Sequence, residues 1–379
     1  MMKIDRLEVD LRIARKKIRD ILKRALDEQI PTINELKILF SSQGREILLL
    51  GQVADIIRKR QVGSIITYVV NRNINFTNVC SKNCLFCAYS VPVDSIDGYI
   101  DISTEFLREK INQTHPYRIT EVCVQGGIHP NITFDTYLEI IKNLKSIDPT
   151  IHIHAFSPQE IVHAAKSIGQ DVVDVLKEFK RNGLDSVPGT AAEILDDKIR
   201  KIICPAKLSS SEWIDIIEQC HQLRIPTTAT ILFGHIENSN HWIHHLSLLK
   251  IIQEKTGGFT EFIPLPFIAA NTRLKKDTSF HIQELSKLDY IKFYAVSRLF
   301  LGETFRNIQT SWVKLGFPLA KITLESGCND FGGTLFEENI TRSAGGTFGQ
   351  FITPEKFQTS IHQLQRIPCE RGTLYNLFC

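Results

Sequence analysis

Cys80, Cys84 and Cys87 fall within eight residues, in Asn78-Val79-Cys80-Ser81-Lys82-Asn83-Cys84-Leu85-Phe86-Cys87-Ala88-Tyr89. Cysteine thiolates hold iron–sulfur clusters, and a 4Fe–4S cluster normally takes four of them. A Cys-x3-Cys-x2-Cys run supplies three, so one iron is left open. Open coordination positions are where metal centres do chemistry, as in catalytic rather than structural zinc sites. Two plainer readings stand beside this one. The three thiols could be part of a zinc site completed by Cys123 or a histidine, or they could be unrelated buried cysteines. Zinc modules usually bring a second Cys/His pair at short spacing, and none follows here.

The loop needs a scaffold. Residues 67–77 read as a strand that delivers the cysteines at its C-terminal end. From residue 65 onward, short β-rich runs alternate with amphipathic helical stretches. The runs are 65–77, 119–125, 151–156, 184–187, 227–233, 259–263, 308–313 and a segment near 329–331. Eight such runs separated by helices predict an α/β fold, a (β/α)8 barrel of the TIM type. Residues 1–62 read as an N-terminal helical extension, with Thr32 and Glu35 in a capping box. Residues 63–379 then form the barrel and a C-terminal extension.

Side chains alternate faces along a strand. Asn71, Asn73, Asn75 and Thr77 share one face of the first run, opposite Ile74 and Phe76. Glu121, Cys123 and Gln125 oppose Val122 and Val124, and His152 and His154 oppose Ile151 and Ile153. Helices cover the outside of a barrel, so the polar sets point inward. That predicts a cavity for a polar small molecule, with Asn73, Asn75, Gln125, His152 and His154 as candidate contacts. At the ends of the fifth and sixth runs, His235 and Glu261 are placed to exchange protons with a substrate, as is His154 at the third. His241, His244 and His245 share a helix with Trp242 and read as surface residues. Cys204, Cys220, Cys369 and Cys379 read as spare thiols.

The Cys-x3-Cys-x2-Cys run, with Phe86 just before the third cysteine, resembles the signature of the radical S-adenosylmethionine (SAM) superfamily. The resemblance implies a 4Fe–4S cluster on Cys80, Cys84 and Cys87, with SAM chelating the open iron. Phe86 and the turn Gln125-Gly126-Gly127 would then contact SAM, the turn at its methionine end. Ser157 and Glu193, at the ends of the third and fourth runs, are candidates for its ribose or amino group. The stretch Asn71–Cys80, the runs 121–130, 152–158, 183–197, 226–235 and 256–267, and the segments 329–334 and 371–375 are similar to one subgroup. It contains the tyrosine-using half of deazaflavin synthase and two enzymes of the futalosine menaquinone pathway.

For the first of these, the resemblance implies that a 5′-deoxyadenosyl radical takes hydrogen from L-tyrosine. The 4-hydroxybenzyl fragment then joins 5-amino-6-(D-ribitylamino)uracil, leaving 2-iminoacetate, and a second radical SAM subunit closes the deazaflavin. An electron donor such as ferredoxin or flavodoxin is implied. The alternatives are an aminofutalosine synthase-like enzyme, or a non-catalytic iron–sulfur or zinc protein.

Composition agrees with a single large α/β unit. The chain has 379 residues, 43% of them apolar, and a net charge of +3 with both signs interspersed. This predicts no nucleic-acid surface. No apolar run approaches a membrane span, and Met1–Arg6 lacks the apolar core of a secretory signal. Nine cysteines in such a chain point to a reducing compartment, and the expected location is cytoplasmic.

Overall fold

The structure is a computed structural model and describes residues 10–379. Residues 1–9, which carry the start of the expected helical extension and the stretch read for a signal, lie outside the described residues. Three helices, Lys16–Leu26, Ile33–Phe40 and Arg45–Val62, precede the first strand. The second starts at the expected capping box. Glu35 N donates to Thr32 Oγ1 (3.4 Å), and Thr32 N donates to Glu35 Oε2 (2.8 Å). The third packs along the helix Lys287–Leu301.

The strands are β1 (Ile65–Val69), β2 (Asn71–Ile74), β3 (Glu121–Val124), β4 (His152–Ala155), β5 (Thr227–Phe233), β6 (Phe259–Pro266), β7 (Asp330–Gly333), β8 (Ile367–Arg371) and β9 (Leu377–Phe378). β1 and β2 are one stave bent at Val70. β2 pairs in parallel with β3, and β3 with β4. His154 then bridges to Ser186, and Val187 to Thr227 at the start of β5. β5 pairs with β6, Phe262 bridges to Ile308, Gln309 to Asp330, and β7 returns to β1. The ring is a closed eight-stave parallel barrel, with staves four and seven reduced to residues 186–187 and 308–309. The seventh run ends earlier than its sequence predicts, because Val313 already lies in the helix Trp312–Leu315.

The outward faces are apolar, as required by their helical cover. Val122, Val124, Ile153 and Ile231 are fully buried. Among the described residues no helix is long and apolar enough to cross a membrane.

The C-terminus returns to the barrel. β8 pairs in parallel with β1 from Ile65 to Tyr68, and β9 turns back antiparallel onto it. Cys369 and Cys379 form a disulfide across this hairpin, so they are not the spare thiols their spacing predicts; ten residues apart, they are brought together only by the turn. Residues 371–375 thereby reach the barrel floor.

Candidate active site

The C-terminal ends of the staves open on a cavity of about 410 Å3. The three cysteine side chains of the loop after β2 line it. The loop is tied on two sides. Leu85 N donates to Ile203 O (2.8 Å), and Leu274 N donates to Leu85 O (2.8 Å). Asn83, between the first two cysteines, takes a left-handed φ of 51°, a conformation that asparagine tolerates better than most residues. Burial pushes the Cys84 thiol up to about 12, partly opposed by the Lys207 ammonium, so iron must displace its proton on binding. Lys207 Nζ also lies over the Phe86 ring at 5.4 Å and pairs with Glu193 at 2.7 Å.

The glycine turn after β3 meets this loop. A Cβ on Gly127 would stand 2.1 Å from Val79 O and 3.0 Å from the Cys80 Cβ. Glycine is therefore required for the turn to touch the cysteine loop. At Gly126 the missing Cβ leaves room for Phe76, whose ring a Cβ would meet at 2.5 Å. Its side-chain position thus faces the core, and only its backbone is free to face the cavity.

Gly126 N donates to Glu160 Oε1 (2.9 Å), a buried carboxylate in the helix Pro158–Ile168. Glu160 Oε2 accepts from Ser157 N (2.7 Å) and Ser157 Oγ (2.6 Å). Ser157 is the helix N-cap, and its hydroxyl is committed to this capping box. Glu160 thus locks the second and third stave ends together. Sequence reasoning passed over it, although Ser157-Pro158-Gln159-Glu160 is itself an S-x-x-E signal.

Burial pushes the Glu160 carboxyl up to about 7, against the bonds from Ser157 and Gly126. Between its ordinary value of 4.5 and 7 the native state keeps a proton that the unfolded state has released. The group's contribution to stability therefore falls as pH rises through that window. Glu160→Gln is expected to flatten the fall in melting temperature between pH 5 and 7.5 relative to wild type, as read by differential scanning fluorimetry. An unchanged slope would place the charge elsewhere.

The floor is a second buried network. Asn71 Nδ2 donates to Glu121 Oε1 (2.8 Å), and Thr373 Oγ1 donates to Glu121 Oε2 (2.6 Å). Arg371 Nε donates to Asp330 Oδ2 (2.5 Å), and its Nη2 lies 3.3 Å from Glu261 Oε1. Tyr375 Oη and Gln309 Nε2 also donate to Glu261 Oε2, at 2.9 and 3.0 Å. Burial pushes Glu261 up to about 7, opposed by Arg371. Burial lowers His154 to about 4, so it is neutral near pH 7, and its Nδ1 lies 2.7 Å from Ser186 Oγ. The tail residues Arg371 and Thr373 escaped sequence reasoning because nothing local marks their contacts with the barrel.

The cavity gathers Cys80, Cys84, Cys87, Phe86, Asn73, Asn75, Gln125, Gly126, Gly127, His154, Ser157, Glu193 and Glu261. Two candidates are not among its walls. His152 lies one strand repeat below His154, with Nε2 2.7 Å from the same Ser186 Oγ. His235 is fully buried behind the fifth stave, with Nδ1 2.7 Å from Glu237 Oε2; the turn at Gly234 (φ 92°) carries it out of the lumen. The segment 190–193, which carries Glu193, is an irregular loop. Ala191 and Glu193 have φ of 64° and 46°, and the next helix begins only at Asp197. His245 is no surface residue: it is fully buried, accepting from Leu195 N (3.0 Å) and meeting Thr230 O (3.0 Å). A second, polar hollow of about 510 Å3 shares Asn75 and Tyr89 with the main cavity but contains no cysteine.

A 4Fe–4S cluster fits this donor set. Three free thiols face one cavity, and a turn without side chains closes on their loop. Among the described residues no three Cys, His, Asp or Glu side chains converge on a single metal ion. A cluster needs no such convergence, because each thiolate binds a different iron.

Comparison with known proteins agrees. The Radical SAM superfamily matches residues 74–249, and the CofH/MqnC C-terminal region matches 256–378. A protein of Archaeoglobus fulgidus named 5-amino-6-(D-ribitylamino)uracil–L-tyrosine 4-hydroxyphenyl transferase is 47% identical over 86% of this chain and 92% of its own length. A protein of the same name from Methanothermobacter thermautotrophicus is 44% identical over 94% and 96%. Among solved structures, methylornithine synthase (PylB) superposes with a TM-score of 0.69 at 16% identity, covering 92% of this chain and 97% of its own. The hydrogenase maturase HydG gives 0.69 at 14% identity, covering 94% and 76%. These two bear on the fold alone. A closed βα ring, a three-cysteine loop on a glycine turn and relatives of this identity over nearly their whole length lead to one conclusion: the chain belongs to the radical SAM superfamily, in the family of 5-amino-6-(D-ribitylamino)uracil–L-tyrosine 4-hydroxyphenyl transferases.

Proposed function

We propose that this chain moves the 4-hydroxybenzyl group of L-tyrosine onto 5-amino-6-(D-ribitylamino)uracil, as the names of its relatives state for them. The observation that carries the reading is one cavity bounded above by the cysteine loop and below by a polar floor. Cys80, Cys84 and Cys87 would hold the cluster, and SAM would lie against the backbone of Gly126 and Gly127. When bound, the reduced cluster and SAM supply a one-electron cleavage that begins hydrogen-atom abstraction. The protein's share is placement and the exclusion of water.

Asn73, Asn75, Gln125 and His154 offer hydrogen bonds to the polar groups of the two substrates, which need partners once buried. His154, neutral near pH 7, can donate or accept without adding charge. Glu261 serves the reading as a fixed carboxyl group, held by Arg371, Tyr375 and Gln309. A one-electron donor of the ferredoxin or flavodoxin kind, a second radical SAM subunit that closes the deazaflavin, and a cytoplasmic location complete the proposal. We also take residues 1–62 as a helical extension of the barrel unit 63–379.

The rival within the superfamily is an aminofutalosine synthase-like reaction on an enolpyruvyl benzoate. A substrate panel separates the two. Reduced, reconstituted protein is expected to form 5′-deoxyadenosine from SAM several-fold faster with L-tyrosine, and not with the enolpyruvyl benzoate. The opposite preference would move the chain to the menaquinone branch.

A further inference from the structure

Four cationic side chains line the cavity: Lys82, Lys207, Lys314 and Arg371. Lys207 is paired with Glu193, and Arg371 with Asp330 and Glu261. Lys82 belongs to the cysteine loop at the cavity mouth. Lys314 differs from all three. It lies in the helix Trp312–Leu315, just beyond the seventh stave, and it is half-buried with its open side on the cavity. Its Nζ donates to Thr341 Oγ1 at 3.1 Å and pairs with no carboxylate among the described residues. An ammonium has three N–H donors, so two remain for a ligand. Burial lowers its pKa, and only the more distant Glu338 and Glu193 oppose this.

The surroundings define what that ligand can be. Glu121, Glu338 and the Arg371–Asp330–Glu261 group make the other lumen charges mainly negative. Lys314 is therefore the inner position at which an anion would be stabilised rather than repelled. Its position also matters. In a ring of eight staves the seventh faces the third, so Lys314 lies across the lumen from Ser157 and Glu160. The glycine turn and cysteine loop, which would take SAM with its own carboxylate, belong to staves two and one.

We infer that Lys314 receives the α-carboxylate of the amino-acid substrate, and so positions the tyrosine head group on the seventh-stave side of the cavity, apart from the glycine turn that would take SAM. Glu338 lines the same part of the cavity and has spare acceptor capacity beyond its two bonds from Thr341 N (2.8 and 3.1 Å). It faces the α-ammonium of the same head group. The inference rests on the tyrosine reading of the preceding section.

The test is equilibrium dialysis of labelled ligands against the reconstituted, SAM-loaded protein under anaerobic conditions. In wild type, tyramine, which lacks only the carboxylate, is expected to bind at least tenfold more weakly than L-tyrosine. This comparison requires no variant to fold. Lys314→Met should weaken tyrosine by at least tenfold, or ~1.4 kcal/mol, leave tyramine and SAM affinities within twofold, and retain full iron content. Lys314→Arg should recover part of the loss. Equal weakening of tyrosine and tyramine would make Lys314 a structural residue, and unchanged tyrosine affinity would overturn the inference. Failure of wild type to bind tyrosine at all would instead sink the proposed function.

Discussion

Alanine at Cys80, Cys84 or Cys87 is expected to reduce cluster absorbance and bound iron sharply and to bring SAM cleavage to background. The same change at Cys123 should leave both intact. A 4Fe–4S cluster with three protein thiolates has no spare ligand, so losing one costs the assembly rather than a fraction of it. Cys123 faces the same cavity, with Gln125 Nε2 4.0 Å from its sulfur. It lies four residues before Gly127, however, which is roughly 13 Å of extended chain below the point where the turn meets Cys80. Burial raises its thiol, as for any cysteine enclosed without a cation. Cys204 adds a second control. It follows Ile203, which holds the cysteine loop, but its side chain does not line the cavity. Cys204→Ser should keep the cluster. Loss of iron on replacing Cys123 or Cys204 would mean four thiolates, no open iron and an electron carrier in place of an enzyme.

Arg371→Met should lower the stability of the protein by about 3–5 kcal/mol, the cost of leaving a buried charge without its partner. Arg371 is 1% exposed and bridges Asp330 and Glu261, themselves almost fully buried. Methionine fills similar volume and leaves two carboxylates facing each other without the guanidinium. Both would hold protons in the native state at pH values where the unfolded chain has lost them. Stability of the variant should therefore recover as pH falls from 8 toward 5. Arg371→Lys should rescue only in part, since a single ammonium cannot span both carboxylates as the planar fork does. Urea denaturation at several pH values reads this directly. A deficit under ~1 kcal/mol, or one independent of pH, would show that the floor does not depend on this charge.

The two predictions mark what was legible in the sequence. The cysteine run and the glycine turn are contiguous motifs; spacing pointed to a metal site, and the resemblance to radical SAM enzymes supplied the cluster and SAM roles. The barrel was legible because β-runs alternate with helices, and even the two-residue staves at 186–187 and 308–309 left their trace. The floor was not. Arg371 meets residues 41 and 110 positions away, through a tail that only tertiary structure brings back to β1.

Alternation along a strand gives the face of a side chain but not its depth. His152 and His154 point the same way, yet a two-residue step of roughly 7 Å leaves His152 beneath Ser186. At His235 the chain has already left the strand, and alternation no longer applies. His245 was misread for a different reason. Trp242, His245, Leu246 and Leu249 form one buried helical stripe, and the neighbouring histidines obscured it. Lys314 carries no local signal either, because the lack of a partner is a property of the folded cavity.

The central claim is that one open-iron cluster site serves a carbon–carbon bond-forming transfer from tyrosine. Anaerobic incubation of the reconstituted chain with SAM, L-tyrosine, 5-amino-6-(D-ribitylamino)uracil and a one-electron reductant tests it most directly, with products read by mass spectrometry and fluorescence. The account predicts 5′-deoxyadenosine together with a 4-hydroxybenzyl adduct of the uracil. It predicts no deazaflavin chromophore, since one Cys-x3-Cys-x2-Cys run would hold one cluster and the proposed function leaves closure of the third ring to a second enzyme. Absence of SAM cleavage in the iron-loaded, reduced protein would contradict the account, as would complete deazaflavin made by this chain alone.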